Sequence, residues 1–263
     1  MHIIACIKAV VSAAPGGNVV RSADNCALNP FDRPALEAAL RLKAAHDGSV
    51  TVLSMGPSTT AAVLREALAL GADRAVLLCD PALAGSDTLA TSTALCAAVQ
   101  HLAPFDLLLF GTRSADSDTG QVGPQTAVLL DIPMLAGAVA IDWGSGRRTI
   151  TRQMDGFQEV YEVTSPAALS IHPDMARPRD PSLAGLATAF DAMPVEILGI
   201  DDVGLAPAQV GDAGSPTRVL GMQAVSKNRT CQWIEGTPSE QADALVRQLA
   251  DANLIAQAHR QPG

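Results

Sequence analysis

Short apolar runs alternate with longer helical patterns through residues 1–140. His2–Ile7 is almost unbroken in apolar character, the mark of a strand covered on both faces. Pro34–Ala45 spaces its Leu and Ala at helical period, with Asp32 as a candidate cap and Pro34 suited to a first turn. The alternation then repeats. A strand is predicted at Val50–Ser54 and a helix at Thr59–Leu70, stopped by Gly71. Further strands are predicted at Arg74–Cys79, Asp106–Phe110 and Met134–Ile141. Helices are predicted at Asp87–Leu102 and Thr119–Leu130, the latter ending before Pro133. Apolar strands separated by helices predict an α/β fold: a doubly wound, mostly parallel, Rossmann-like sheet with helices on both faces.

Beyond Asp142 the period changes. Arg147–Met154 and Phe157–Thr164 alternate about Asp155-Gly156, a hairpin turn pair. Ala167–Ile171 is a further apolar run. All three are expected as antiparallel strands extending the same sheet. From Leu205 to Cys231 Gly, Pro and Ser break any period, which predicts an extended arm. A final helix at about Ser239–Ala252 carries an apolar stripe of Ala242, Leu245, Val246 and Leu249. The expected division is an α/β domain over 1–190 and a C-terminal arm and helix over 191–263.

Composition narrows the function. The chain is 48% hydrophobic, enough for a sizeable core, but aromatics are only 3%. Few aromatic faces and a net charge of −9 exclude a nucleic-acid partner. No apolar run reaches the roughly 18 residues of a membrane span, and no basic leader precedes His2–Ile7, so a cytoplasmic protein without membrane insertion is expected. Cys6, Cys26, Cys79, Cys96 and Cys231 are scattered without a CxxC pair, and the five histidines show no ligand spacing. Neither a disulfide framework nor a metal site is expected.

In a doubly wound sheet, ligands bind beyond the carboxyl ends of the strands. Three such places contain candidate chemistry: Lys8-Ala9-Val10 and the loop leading to Asn29-Pro30-Phe31-Asp32, Ser54-Met55-Gly56-Pro57, and the polar stretch Gly111–Pro124. With a helix starting at Thr119, the amides of Thr119–Val122 would be free donors, and such a terminus attracts phosphate. Asp116 and Asp118 repel phosphate but suit helix caps or ribose hydroxyls. A solvated, capped loop fits the same spacing. GxGxxG, GxxxxGK[ST] and GxSxG are all absent, and no catalytic residue is expected.

These pieces, taken in order, resemble the β subunits of electron transfer flavoproteins. The similar stretches include Ile7-Lys8, Asn29-Pro30-Phe31-Asp32, Ala35–Lys43, Val50–Pro57, Leu64–Asp73, Ala84–Thr91, Phe105–Gly111 and Asp118–Pro124, with Gly214–Val219 further on. The resemblance implies an electron carrier that pairs with a flavoprotein α subunit. It implies a β-site holding FAD, with AMP as the alternative, and electron bifurcation in the FAD-holding branch, to which Asp118–Pro124 is similar. The implied nucleotide contacts are Ala9, Asn29, Asp32, Ser54, Met55, Gly56, Asp118, Thr119, Gly120, Gln121, Val122 and Gly123. Arg179 and Leu183 fall in the loop by which such subunits dock on acyl-CoA-type or related dehydrogenases. Arg113-Ser114-Ala115-Asp116-Ser117 departs from the family's Gln-Ala-Ile-Asp-Gly. The rival reading is a stand-alone adenine-nucleotide-binding or ATP-hydrolysing module.

Overall fold

A computed structural model describes residues 1–11, 25–144, 146–221 and 230–255. The first strand, β1 (His2–Cys6), is followed by a small antiparallel hairpin, β2 (Ala9–Val11) and β3 (Cys26–Leu28). The loop expected between Val10 and Asn29 is thus seen only at its ends; 12–24 lie outside the described residues. Then come α1 (Arg33–His46), β4 (Ser49–Met55), α2 (Ala61–Leu70), β5 (Arg74–Leu78), α3 (Thr88–His101), β6 (Leu107–Gly111) and α4 (Val122–Leu129). The chain continues with β7 (Met134–Trp143), β8 (Arg148–Met154), β9 (Phe157–Glu162), β10 (Ala167–Ile171), α5 (Leu183–Asp191), β11 (Val195–Leu198), the short α6 (Gly211–Gly214) and α7 (Pro238–Asp251).

Nine strands form one sheet in the order β11-β5-β4-β1-β6-β10-β7-β8-β9. All pairs are parallel except β7·β8 and β8·β9. The strand pleat separates two cores. Ile3, Ala5, Val50, Val52, Leu107 and Leu109 meet Leu36 and Leu40 of α1 and Leu64 and Leu68 of α2. Ile4, Leu53, Val76, Leu108 and Phe110 meet Ala94, Leu95, Ala98 and Val99 of α3. Helices therefore cover both faces, as the unbroken apolar strands require. The side chains of Ile3, Ile4, Leu107, Leu108 and Leu109 are fully buried, each contributing about 1.5–3 kcal/mol.

The structure corrects three expectations. Ala167–Ile171 is not antiparallel: β10 lies inside the sheet, parallel to both β6 and β7. The helix expected from Thr119 begins at Val122. Asp32 occupies the cap position of α1, but its carboxylate makes no capping bond and turns to the Lys8 amide instead. The Asp155-Gly156 turn joins β8 and β9, with φ of 51° and 81°. β11 and α5 had no counterpart in the sequence pattern.

The chain divides into two compact units, Met1–Leu220 and Gly221–Gly263. In the first, residues from Leu205 on are irregular apart from a tight turn at Pro207–Gln209 and α6; of the arm expected over Leu205–Cys231, residues 222–229 lie outside the described residues. In the second, α7 is started by a capping box: the Glu240 carboxylate accepts from the Thr237 amide at 2.7 Å. Each unit holds one tryptophan. Trp143 is 7% exposed, with Arg148 stacked 4.9 Å from its ring centre; Trp233 is 91% exposed. Among the described residues no helix is long and apolar enough to cross a membrane.

Candidate nucleotide site

From β1 the chain winds outward through β4 and β5, then returns to β6 on the other side. The crevice at this change of direction is where ligands of doubly wound sheets bind. The carboxyl ends of β4, β1 and β6 are neighbours, since Cys6 faces Leu53 and Ala5 faces Leu109. They bring together Ser54-Met55-Gly56, Lys8-Ala9 and the loop from Gly111.

Lys8 is the hub. Its amide donates to Asp32 Oδ2 at 2.7 Å, and its carbonyl accepts from the Asn29 amide at 2.9 Å. Its ammonium donates to Asp116 Oδ1 at 2.7 Å and approaches Ser114 Oγ at 3.4 Å. That charge and the Ser114 hydroxyl hold the Asp116 carboxyl below its usual range despite the opposing effect of burial. Asn29 is buried and clasps the far loop. Its Nδ2 donates to the Arg113 carbonyl at 2.8 Å, and its Oδ1 accepts from the Ala115 amide at 3.2 Å. Burial pushes the Asp32 carboxyl up to about 7, opposed by hydrogen bonds from Asn29, Lys8 and Gly111 and by the Lys8 charge. Gly111 has to be glycine, because a Cβ there would overlap Asp32 Oδ1 and the Phe31 carbonyl.

On the β4 side, a Cβ on Gly56 would lie 2.5 Å from Thr60 Oγ1. The Ser54 hydroxyl is buried and has no hydrogen-bond partner among the described residues. A buried hydroxyl without a partner costs free energy, on the order of 1–3 kcal/mol, and suits a group that arrives from outside. On the β6 side, Arg113 stacks 4.5 Å from the Phe31 ring centre and pairs with Asp118 Oδ1 at 3.3 Å. Asp118 and Gly120 take left-handed φ of 54° and 63°, which turns the loop into α4. Thr119 and Gly120 are exposed in that loop. With the helix starting at Val122, its first-turn amides belong to Val122 and Gly123, since Pro124 has none. Gln121 sits at the cap and accepts from Thr88 Oγ1 at 3.3 Å. A Cβ on Gly123 would press on the Phe110 ring at 3.1 Å.

The twelve nucleotide candidates therefore fall along the ends of three adjacent strands. Asn29 and Asp32 are knit to the 111–118 loop by hydrogen bonds, and Ala9 lies in β2 opposite Leu28. Ser54, Met55 and Gly56 continue β4, and Asp118–Gly123 run from the β6 loop into α4, with β1 between the two strands. Beside the buried Asp32, an anion meets two carboxylates here, and both are paired, Asp116 with Lys8 and Asp118 with Arg113. The donors, the close-approach glycines and the unspent Ser54 hydroxyl fit an adenine nucleotide. Among the described residues no cluster of His, Cys, Asp or Glu suits a metal ion. Lys8, Arg113 and Asp116 lie in the candidate segments but not among the twelve implied nucleotide contacts; the signal for Lys8 is a lone cation directly after an apolar strand.

The two docking candidates lie elsewhere. Arg179 binds the Glu37 carboxylate of α1 with both arms, Nε at 2.7 Å and an Nη at 3.1 Å. Leu183 opens α5, where the Ser182 hydroxyl accepts from the Gly185 amide at 3.0 Å, and it is 87% exposed.

Comparison with known proteins adds a family pattern. The model described as "Electron transfer flavoprotein domain" matches residues 16–197. The electron transfer flavoprotein subunit beta of Thermoanaerobacterium thermosaccharolyticum is 37% identical over 228 residues, covering 87% of each chain. The caffeyl-CoA reductase-Etf complex subunit CarD of Acetobacterium woodii is 36% identical over 97% of this chain and 100% of its own length. Protein FixA of Azorhizobium caulinodans is 34% identical over 95% of this chain and 94% of its own length.

Proposed function

Because this chain belongs to the electron transfer flavoprotein β subunits, we propose that it pairs with a flavoprotein α subunit and buries an adenine nucleotide at the ends of β4, β1 and β6. FAD is the proposed nucleotide and AMP the alternative. The observation that carries the reading is the convergence of Lys8, Asn29, Asp32 and the 111–118 loop beside a buried Ser54 hydroxyl without a protein partner. The Asp118-Thr119-Gly120-Gln121-Val122-Gly123-Pro124 stretch, similar to the bifurcating and nitrogen-fixation branch, favours FAD over AMP.

Each residue then has a physical task. Asn29 and Asp32 fasten the two loops, so the site is formed before the nucleotide arrives. Lys8 and Arg113 neutralise Asp116 and Asp118, which lets a phosphate approach Thr119 and the Val122 and Gly123 amides. Asp118 suits the ribose hydroxyls, and Ser54 gains its missing partner. Ala9, Met55 and Gly56 give apolar walls and close approach. A bound flavin supplies the one- and two-electron chemistry; the protein supplies binding, orientation and the surrounding charge. No substrate bond is made or broken by this chain. Leu183 offers the contact for an acyl-CoA-type or related dehydrogenase. The C-terminal part, expected from residue 191 on, meets the α subunit in a cytoplasmic complex. With FAD in the β-site, the complex would split an electron pair from NADH or a similar donor.

The test is nucleotide content. The chain is co-expressed with its α subunit, the purified heterodimer is denatured, and FAD and AMP are quantified. Two FAD and no AMP per heterodimer is the expected result. One FAD and one AMP would put AMP in the β-site. One FAD alone would overturn the nucleotide-binding reading.

A further inference from the structure

Glu37 presents an arrangement that the nucleotide site does not use. It is a carboxylate on α1 with its side chain 5% exposed, in an otherwise apolar helix face that includes Leu36 and Leu40. Such a group stays charged only when fully paired. Glu37 takes Arg179 Nε at 2.7 Å, an Arg179 Nη at 3.1 Å, the Arg179 amide at 3.3 Å and Arg41 Nε at 2.8 Å. Burial alone would raise its carboxyl, but these bonds bring it below the usual range. Arg41 reaches the same segment again, donating to the Arg177 carbonyl at 3.3 Å. Pro178 and Arg179 line a small crevice with Arg33, Leu36, Glu37, Leu40 and Leu70. The segment is therefore pinned to α1 by both main chain and side chain. Four residues after Arg179, Leu183 stands in solvent.

We propose that Glu37 is the positioning residue of the docking loop: it holds Arg179 from inside the fold, so that Leu183 is presented to a dehydrogenase on a fixed base. Arg179 is thereby an anchor of the loop, and Leu183 is its contact. This rests on the reading of 177–183 as the docking loop. Preorganisation matters because a loop that must be ordered during docking spends binding energy on that ordering. A planar guanidinium engaged by two arms fixes direction as well as distance, which a lysine cannot do.

The test uses the heterodimer with its α subunit, in wild-type, Glu37→Gln, Arg179→Lys and Leu183→Ala forms. Arg179→Lys keeps the buried carboxylate paired and guards against a Glu37 variant that fails to fold. Hydrogen exchange over 177–183 is measured first. Both anchor variants are expected to exchange about tenfold faster there, with α1 protection kept. Electron transfer is then measured with a purified butyryl-CoA dehydrogenase and butyryl-CoA, and separately with a small dye that needs no docking. The anchor variants are expected to raise the KM for the dehydrogenase about fivefold, and Leu183→Ala about tenfold, with dye rates unchanged. Unchanged exchange in the anchor variants overturns the proposal. So does a KM that rises in Leu183→Ala alone, and in that case the docking reading stands. A KM that Leu183→Ala does not change, or no turnover of the dehydrogenase by wild type, overturns the docking reading and this proposal with it.

Discussion

Asp32 holds a carboxyl group at 5% exposure between the first strand and the first helix. Its pKa is raised from 3.8 to about 7, chiefly by burial. Below about pH 4 the group is protonated whether the chain is folded or not, and the contribution is fully present. As pH rises towards 7 the unfolded chain releases the proton first, so stability falls and the contribution is lost on passing the folded value. A gap of that size corresponds to about 4 kcal/mol as an upper figure, before the surroundings relax. Urea unfolding at pH 5, 6, 7 and 8 should show wild-type stability declining relative to Asp32→Asn, which cannot titrate. Parallel curves would mean that the carboxyl is not shielded from water. Asn29 and Asp32 stand out in the sequence as the ends of the Asn29-Pro30-Phe31-Asp32 stretch. Their partners were not: Asn29 reaches Arg113 and Ala115, and Glu37 reaches Arg179, across more than 80 residues of chain. No local pattern encodes such pairings. The stacking of Arg113 on Phe31 likewise depends on two loops meeting.

Among the elements, β10 is the instructive case. Its placement next to a hairpin in sequence suggests another antiparallel strand, yet Ala167–Ile171 is buried at every position. Strands of a one-sided antiparallel extension alternate, as β7 does over its last four residues, whereas an unbroken apolar strand belongs inside a parallel sheet. The distinguishing signal was present in the residues, and chain order obscured it. The energetic contrast is testable. Leu169 in β10 is 0% exposed and Val160 in β9 is 64% exposed. Leu169→Ala should cost about 2–5 kcal/mol in chemical denaturation, and Val160→Ala less than about 0.5 kcal/mol. Equal costs would mean that β10 does not lie inside the sheet. The start of α4 was misplaced by three residues for a different reason. Asp118 and Gly120 adopt left-handed backbone, which sends the chain around a turn before the helix begins. α5 was hidden because Pro178 and Pro181 suggest only a loop, and its nine residues are too few to establish a period.

For the whole molecule, the alternation of strand and helix was enough to predict the doubly wound sheet, since covering both faces of a sheet demands apolar strands. The order β5-β4-β1-β6 then placed the candidate site at the change of winding. The rest depends on tertiary contacts between loops. The two compact units differ in what their tryptophans face. The sequence contains two tryptophans, and each unit holds one in an opposite setting. Trp143 in the first unit is shielded and Trp233 in the second is open to water. The isolated subunit should thus emit as two populations, a blue one that iodide leaves intact and a red one that iodide quenches. Trp143→Phe should remove the first and Trp233→Phe the second. Adding the α subunit to the Trp143→Phe variant should shift the remaining emission to the blue if the second unit is covered on assembly. An unshifted, still quenchable spectrum would leave that face outside the complex. The molecule thus has a built-in fluorophore in each unit, able to tell unfolding of the sheet from engagement of the tail without an added label.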